Sequence, residues 1–483
     1  MHGDFSRLTF RPGKGYSAVL SQQGRLQLDA DINEQAAIQL HALRQVAADL
    51  IGRHAGPVNS GPNVTPARTT AFEIAYEPPQ GAGSANLAIG AGRYYIDGIM
   101  VDATKPTPLR AVSETGKGAQ EPTLWTYWTQ PDAYLDMEND ADDLPELFPL
   151  LVYLKVWERF VAAVEDPDIQ ETALGALLPD TTGRAKVMWQ VLPIRPADDL
   201  KVDSDDATVL RRQFDAWADE RERPAAWLAA RAQQPAGTSD DPCLIPPDSR
   251  YRGPENQLYR VEVHRAGQAG TDAAQSATFK WSRENGSVIF PVSEIDGTWV
   301  TLGAAGRDGK LDLHVGDWVE TVDDAYVARG AAEDLLQVAE VDVAGRRVRL
   351  SAEPGLDVGR LSDRHPYLRR WDQQASAAPS AAQLWEGAVQ IQEGTWVGLE
   401  DGVQVWFATG GSYRTGDYWL IPARTMTGDV EWPRDLAGAP LLMAPDGIHY
   451  HYAPLAVIWS PKGGSALDLR QQFGPQAEPV PPG

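Results

Sequence analysis

Cysteine is almost missing from this chain. Cys243 is the single one in 483 residues, so no internal disulfide can form. It sits in a Pro-rich stretch, where an incidental thiol is a simpler reading than a nucleophile. Long apolar runs are missing too. Stretches such as YAPLAVIW, 452–459, are strand-length and well short of the ~18 residues a spanning helix needs, so no membrane insertion is expected. Basic charge is in deficit, with 43 Lys and Arg against 67 Asp and Glu for a net −24. Without a segregated basic patch, that balance repels phosphate backbones and anionic lipid, which argues against a nucleic-acid partner. HExxH, GxSxG and the phosphate-cradling GxxxxGK[ST] are all absent, and no cofactor is expected. The opening MHGDFSRLTFRPGKGYS lacks the apolar centre of a secretory signal, so the expectation is cytoplasmic synthesis without a signal peptide.

What is abundant is strand. The expected fold is mainly β, a β-rich multidomain chain of barrel- or sandwich-like modules with an N-terminal helix and a helical insertion. Residues 1–60 form an arm and a helix from Ile32 to about Arg53, whose Ala36, Leu40, Leu43, Ala47 and Ile51 make one apolar stripe that needs a partner. Residues 61–112 read as a small β-unit, with Gly92 and Gly98 suited to tight hairpins. Residues 113–200 carry two strands, Leu150 to Val164 and Lys186 to Ile194, around an acidic loop. Residues 201–247 are a helical insertion and loop with Val209, Leu210, Phe214 and Trp217 on one face and Pro224 as its stop. In 248–372, a β-hairpin and barrel-like module, Asn285-Gly286 inside ATFKWSRENGSVIF predicts a type I′ turn, because both positions tolerate positive φ. Residues 373–470 form a C-terminal β module behind a Pro/Ala/Ser-rich linker, Gln373 to Gln383, and 471–483 a tail. VGDWVE at Val315 and TGDYWLI at Thr415 rhyme, which suggests two barrel-like modules.

The groupings that could carry chemistry each have a plainer reading. Asp136, Glu138, Asp140 and Asp142 alternate like calcium-loop ligands, but Ala141 and Leu147 stand where an EF-hand needs Gly and Glu, so a solvated loop is expected. His449 and His451 would face one side of a strand without a visible third ligand. Glu165, Asp166, Asp168 and Glu171 could supply a glycosidase pair, yet they follow a strand as turn-capping carboxylates do. No metal or catalytic residue is therefore assigned. Of the sixteen tryptophans, Trp157, Trp189, Trp281, Trp318, Trp406 and Trp419 fall inside strands as core. Trp125 and Trp128, with Tyr127, precede a polar loop and could form a glycan platform or close an interface.

Several blocks resemble an uncharacterised bacterial family associated with phage-tail-like extracellular contractile injection systems. They are GDFSRLTF with SAVLSQQGRLQLDADINEQ, YLKVWERFVAAVEDPDIQETAL with VMWQV, ENQLYRVEVH with FKWSRENGSV, and YRTGDYWLIPAR. The resemblance spans nearly the whole chain. It implies a structural, self-assembling part of the particle near the baseplate, as cage, adaptor or fibre attachment, with no reaction. The implied partners are other copies of the chain and baseplate or tail proteins, in a particle released from the cell. An N-terminal arm, Met1 to Gly15 with Asp4, Phe5, Arg7, Arg11 and Lys14, could dock on an acidic neighbour copy. The alternative is a module recognising a surface glycan through Trp125, Tyr127 and Trp128, and a hydrolase is the third reading.

Overall fold

The computed structural model describes residues 1–58, 70–81, 83–106, 124–174, 180–233, 250–270, 276–304, 306, 309–374 and 384–474. Cys243 and most of the 373–383 linker lie outside them. The chain is β-rich and multidomain, and its modules are nested, each interrupted by the next.

The first module is organised by Leu150–Val161, which pairs antiparallel with Arg184–Pro193 on one side and His451–Ile458 on the other. Its apolar run is continuous because both faces are covered. Leu150, Val152, Leu154 and Val156 enter a core shared with the short strands of residues 74–102. Leu151 and Tyr153 face the opposite way, against Leu210, Phe214 and Trp217 of the helix Ala207–Glu222. That face is the one the helical periodicity predicts. Asp206 accepts from Thr208 N and caps the helix start, where an unpaired N–H needs an acceptor.

After this helix the chain enters a sandwich through Leu228–Ala232, a strand the helical reading missed. A six-stranded sheet containing Gln257–Val263, Thr278–Ser282 and Tyr418–Arg424 packs on a three-stranded one containing Leu228–Ala232 and Val403–Phe407. Phe279, Trp281, Phe407 and Trp419 fill the space between, with Phe279 and Phe407 centroids 5.2 Å apart. Each such ring contributes about 1.5–3 kcal/mol of burial.

The sandwich is itself interrupted by a closed six-stranded barrel running from Ile289–Asp296 to Tyr367–Trp371. The rhyming pair thus opens one barrel strand, Trp318–Val322, and one sandwich strand, Tyr418–Arg424. The 248–372 unit is therefore split, since Gln257–Val263 and Thr278–Ser282 belong with the C-terminal module. Likewise His451–Ile458 belongs to the first module, and Gln472–Phe473 from the tail pairs in parallel with Gly56–Pro57.

The Asn285-Gly286 hairpin does not form. Both residues have positive φ, 50° and 64°, as their chemistry predicts. The flanking strands do not pair, however. Thr278–Ser282 pairs with Gln257–Val263, and Ile289–Asp296 with Trp299–Leu302 and Tyr367–Trp371. The turn is the crossover from sandwich to barrel. Gly92 is a crossover as well, whereas Asp97-Gly98 makes the expected hairpin between Arg93–Ile96 and Ile99–Asp102. No helix among the described residues is long and apolar enough to cross a membrane.

Candidate functional site: a buried charge junction and an uncovered helix

In the six-stranded sheet, Val261, Val263, Phe279 and Trp281 point into the sandwich core. The alternate residues Arg260, Glu262, His264, Thr278, Lys280 and Ser282 point away, yet all six are buried. Period two puts them on one face, and the barrel covers that face. Register sets Glu262 opposite Lys280, and Lys280 Nζ lies 3.3 Å from Glu262 and 2.6 Å from Glu320 of the barrel. Glu320 also accepts from Tyr326 Oη and Trp371 Nε1, each at 2.9 Å. Arg260 donates to Glu262 and stacks on the Tyr418 ring.

Burial acts to raise the Glu262 carboxyl, but Arg260, Lys280 and His2 outweigh it and hold the group well below the usual carboxylate range. Glu320 follows the same logic, with burial opposed chiefly by Lys280. Burial, helped by Lys280, pushes the His264 imidazole down to about 4, so the ring is neutral at pH 7. These charges are desolvated and mutually compensated.

The junction continues to the first module. Arg159 bonds Glu165 and reaches Asp324 at 3.1 Å, and His365 meets the other Asp324 oxygen at 2.8 Å. Arg369 donates to Tyr367 Oη at 2.9 Å, and its Nη1 lies 3.3 Å from His2 Nε2. A cavity of ≈ 290 Å³ sits among Arg159, Arg260, Arg369, Tyr418 and His449. Asn285, fully buried at the crossover, donates to the Met1 and Gly3 carbonyls.

Sequence reasoning missed this junction, although its signal is present. YRVEVH, FKWS, WVET and YLRRW each place charge inside an apolar strand, Arg260 and Glu262 in the first, Lys280 in the second, Glu320 in the third and Arg369 with Arg370 in the fourth. One such strand reads as half-exposed, and several with complementary charges read as faces that meet.

The residues singled out in the sequence are dispersed. The arm is not free from its first residue, because Gly3 is buried and Phe5 packs edge-on against Phe160 at 5.5 Å. Asp4 stays exposed beside them. Arg7 pairs with Glu431 at 2.9 Å. Arg11 and Lys14 are exposed, the first bonded to the Phe10 carbonyl and the second over the Tyr16 ring. Tyr127 is fully buried and donates to the Asp142 carbonyl at 2.8 Å, while Trp125 and Trp128 are half-buried against the first core. The three do not make an exposed platform. Asp142 is buried and held by Arg329 at 2.8 Å. Glu165 is committed to Arg159, while Asp166 and Glu171 cap the N–H groups of Asp168 and Ala173. His451 bonds Asp97 at 2.7 Å. Among the described residues no three His, Cys, Asp or Glu side chains converge as metal ligands.

The second unusual feature is the helix Asp29–Ile51, here α1. Asp31 accepts from Leu28 N at its start, and Gly52 ends it with φ 88°. Arg44 grips Glu158 with two bonds of 2.9 and 2.7 Å, and Arg53 holds Asp219 and Glu222. Ala30 and Ile38 face the body. Of the expected apolar stripe, Ala36, Leu40 and Leu43 face outward, the last 66 % exposed, while Ala47 and Ile51 are half-buried; Leu50, beside the stripe, is 70 % exposed. The arm ahead of it is equally uncovered, with Leu20 at 81 % and Leu26 at 85 %. Ten of the twenty-six large apolar side chains exposed among the described residues lie between Leu8 and Leu50.

The profile of DUF6519, described as a family of unknown function, matches residues 1–227 and 224–463. The chain belongs to that family. No curated protein and no solved structure matches it.

Proposed function

We propose that this DUF6519 member is a structural, self-assembling component of a phage-tail-like contractile injection particle, placed at the baseplate end as cage, adaptor or fibre attachment, and without catalytic activity. The observation that carries the proposal is the uncovered apolar surface of the arm and α1. A chain that buries its charged residues at internal junctions but leaves these leucines in water is built to be covered by another protein. The resemblance of its sequence blocks to a family associated with such particles supplies the setting. Glu165, Asp166, Glu171 and His451, four of the groups that could have served chemistry, are bonded within the chain, which fits a scaffold.

Electron microscopy of particles from the native host, with and without the gene, tests this. Loss of a ring, cage or fibre attachment at the baseplate end is expected. Particles that keep all their density without the gene would overturn the assignment.

A further inference from the structure

An amphipathic surface helix normally turns its apolar stripe to the core. α1 does the reverse, and the outward residues have a definite spacing. Ala36, Leu40, Leu43 and Leu50, with the half-buried Ala47, recur at steps of four and three, the 3.5-residue period of a coiled-coil seam, and the exposed Ile32 and Val46 flank it. The order of sizes carries more information than the period. Read in opposite directions about Leu43, the seam sets Ala36 against Leu50 and Leu40 against Ala47, with Leu43 against its own copy. Small then meets large in every flanking layer, as interdigitating cores require. A parallel, in-register pair would instead set Ala against Ala and Leu against Leu.

Charge favours the same occupant. Between Glu34 and Asp49 the helix has no acidic residue, so two copies of a chain with net charge −24 can approach here without like-charge contact. The arm, whose first 28 residues hold four basic groups and one acidic, lies along the N-terminal half of α1. Thr9 bonds Glu34 at 2.6 Å, Val19 N donates to Gln35, and Phe10 packs on His41. At the other end Asp219 and Glu222 gather around Arg53, and Asp49 lies in the last turn of α1. Antiparallel pairing brings each basic arm to the acidic end of the other copy, and it opposes the two helix dipoles favourably. Tyr16, Leu20, Leu26, Leu28 and Ile32 add exposed apolar area toward the ~800 Å² per partner that a stable interface buries.

We infer that two copies of this chain associate about a two-fold axis at Leu43, α1 packing antiparallel on α1. This rests on the assembly reading above and names its first partner. A closed two-fold pair uses the same patch on both copies, so each larger contact in the particle would be made by such pairs.

Sedimentation of the purified full chain, wild type and Leu43→Glu, tests the association. The wild type is expected to sediment as a dimer and the variant as a monomer with unchanged circular dichroism. A wild type that stays monomeric at its highest soluble concentration, or a variant that keeps the wild-type mass, would overturn the inference. Cross-linking checks the register without disturbing the fold. In a Cys243→Ser background, Leu43→Cys should couple to itself through a short bismaleimide. Ala36→Cys should not, because two such positions lie about 21 Å apart along an antiparallel pair. Equal coupling at both positions would exclude the two-fold axis at Leu43. None of these outcomes depends on the particle, so their failure is separable from failure of the microscopy test.

Discussion

The sandwich–barrel junction and α1 invert each other. At the junction Arg260, Glu262, Lys280, Glu320 and Arg369 are buried, and on α1 Leu40, Leu43 and Leu50 stand in water. Each breaks the rule that hydrocarbon goes inside and charge outside, but they break it with different consequences. Buried charge that is compensated within the chain fixes how two modules meet. Exposed hydrocarbon costs the isolated chain free energy and is recovered only by contact with something else. The junction therefore governs the stability of one copy, and the helix, on the assembly proposed above, what copies do together.

The largest effect should come from removing one partner at the junction. Lys280→Met leaves Glu262 and Glu320 facing each other without their shared cation. Loss of about 3–5 kcal/mol is expected, since a buried charge is left uncompensated. Urea unfolding measures it. Adding Glu320→Gln should recover part of the loss, and strict additivity in that double-mutant cycle would show that the two residues are not coupled. On the other side of the comparison, Leu43→Glu should change the stability of a single copy by no more than about 0.5 kcal/mol. A comparable loss in both variants would erase the distinction.

A smaller effect separates the junction from the sandwich rim by pH. Burial pushes the Glu400 carboxyl up to about 7 against the opposing pull of Arg283. Asp417 is pushed up to about 6 by burial, against Arg414. Each folded-state value is raised, so between the ordinary carboxylate range and about pH 7 the folded chain binds more protons than the unfolded one. Stability from this source is present at low pH and falls as pH rises through 6 to 7, by roughly 1–3 kcal/mol. Glu400→Gln should flatten that limb in urea titrations between about pH 4.5 and 8. Glu262 has the opposite sign, because its carboxyl is held low. Its contribution is present above the ordinary carboxylate range and is lost on further acidification. A wild type whose stability rose steadily from pH 5 to 8 would contradict the assignment at Glu400.

Asn285 comes next, because it ties the N-terminal residues to the junction. Asn285→Ala removes two donors to the Met1 and Gly3 carbonyls and places Ala at φ 50°. A cost of about 1–2 kcal/mol is expected, together with faster hydrogen exchange at Gly3 and Phe5. Unchanged exchange there would mean that the first residues are held by other contacts.

This residue also marks the limit of what the sequence can say. Asn285-Gly286 announces positive φ through its own chemistry, and both residues have it. Whether the flanking strands pair with each other is decided by distant partners, Gln257–Val263 on one side and Tyr367–Trp371 on the other. α2, the helix Ala207–Glu222, and α1 teach the same lesson from the other direction. Periodicity correctly puts Leu210, Phe214 and Trp217 on one face and Ala36, Leu40 and Leu43 on another. Among the described residues only the first face has a cover, since periodicity says which residues travel together and nothing about what they meet. The junction was the least legible part. Arg260 and Lys280 look like the solvent side of half-buried strands until the barrel, inserted between Ser282 and Leu384, folds back over them.

The smallest expected effect concerns the arm, where the comparison reduces to single side chains. Arg7 pairs with Glu431, and both are about two-fifths exposed, 41 % and 39 %. Such a pair contributes roughly 0–1 kcal/mol and less in salt, so Arg7→Ala should leave urea unfolding almost unchanged. Arg11 and Lys14 reach a backbone carbonyl and an aromatic ring rather than a carboxylate. Their charge reversal, Arg11→Glu with Lys14→Glu, should also spare stability but weaken association, and the difference from wild type should shrink at high salt, because screening removes the attraction between arm and acidic copy. A loss of more than about 1 kcal/mol in Arg7→Ala, above the usual range for exposed pairs, would make the arm a strap on its own chain. It would then belong with the junction, and α1 alone would remain as the surface held for a second copy.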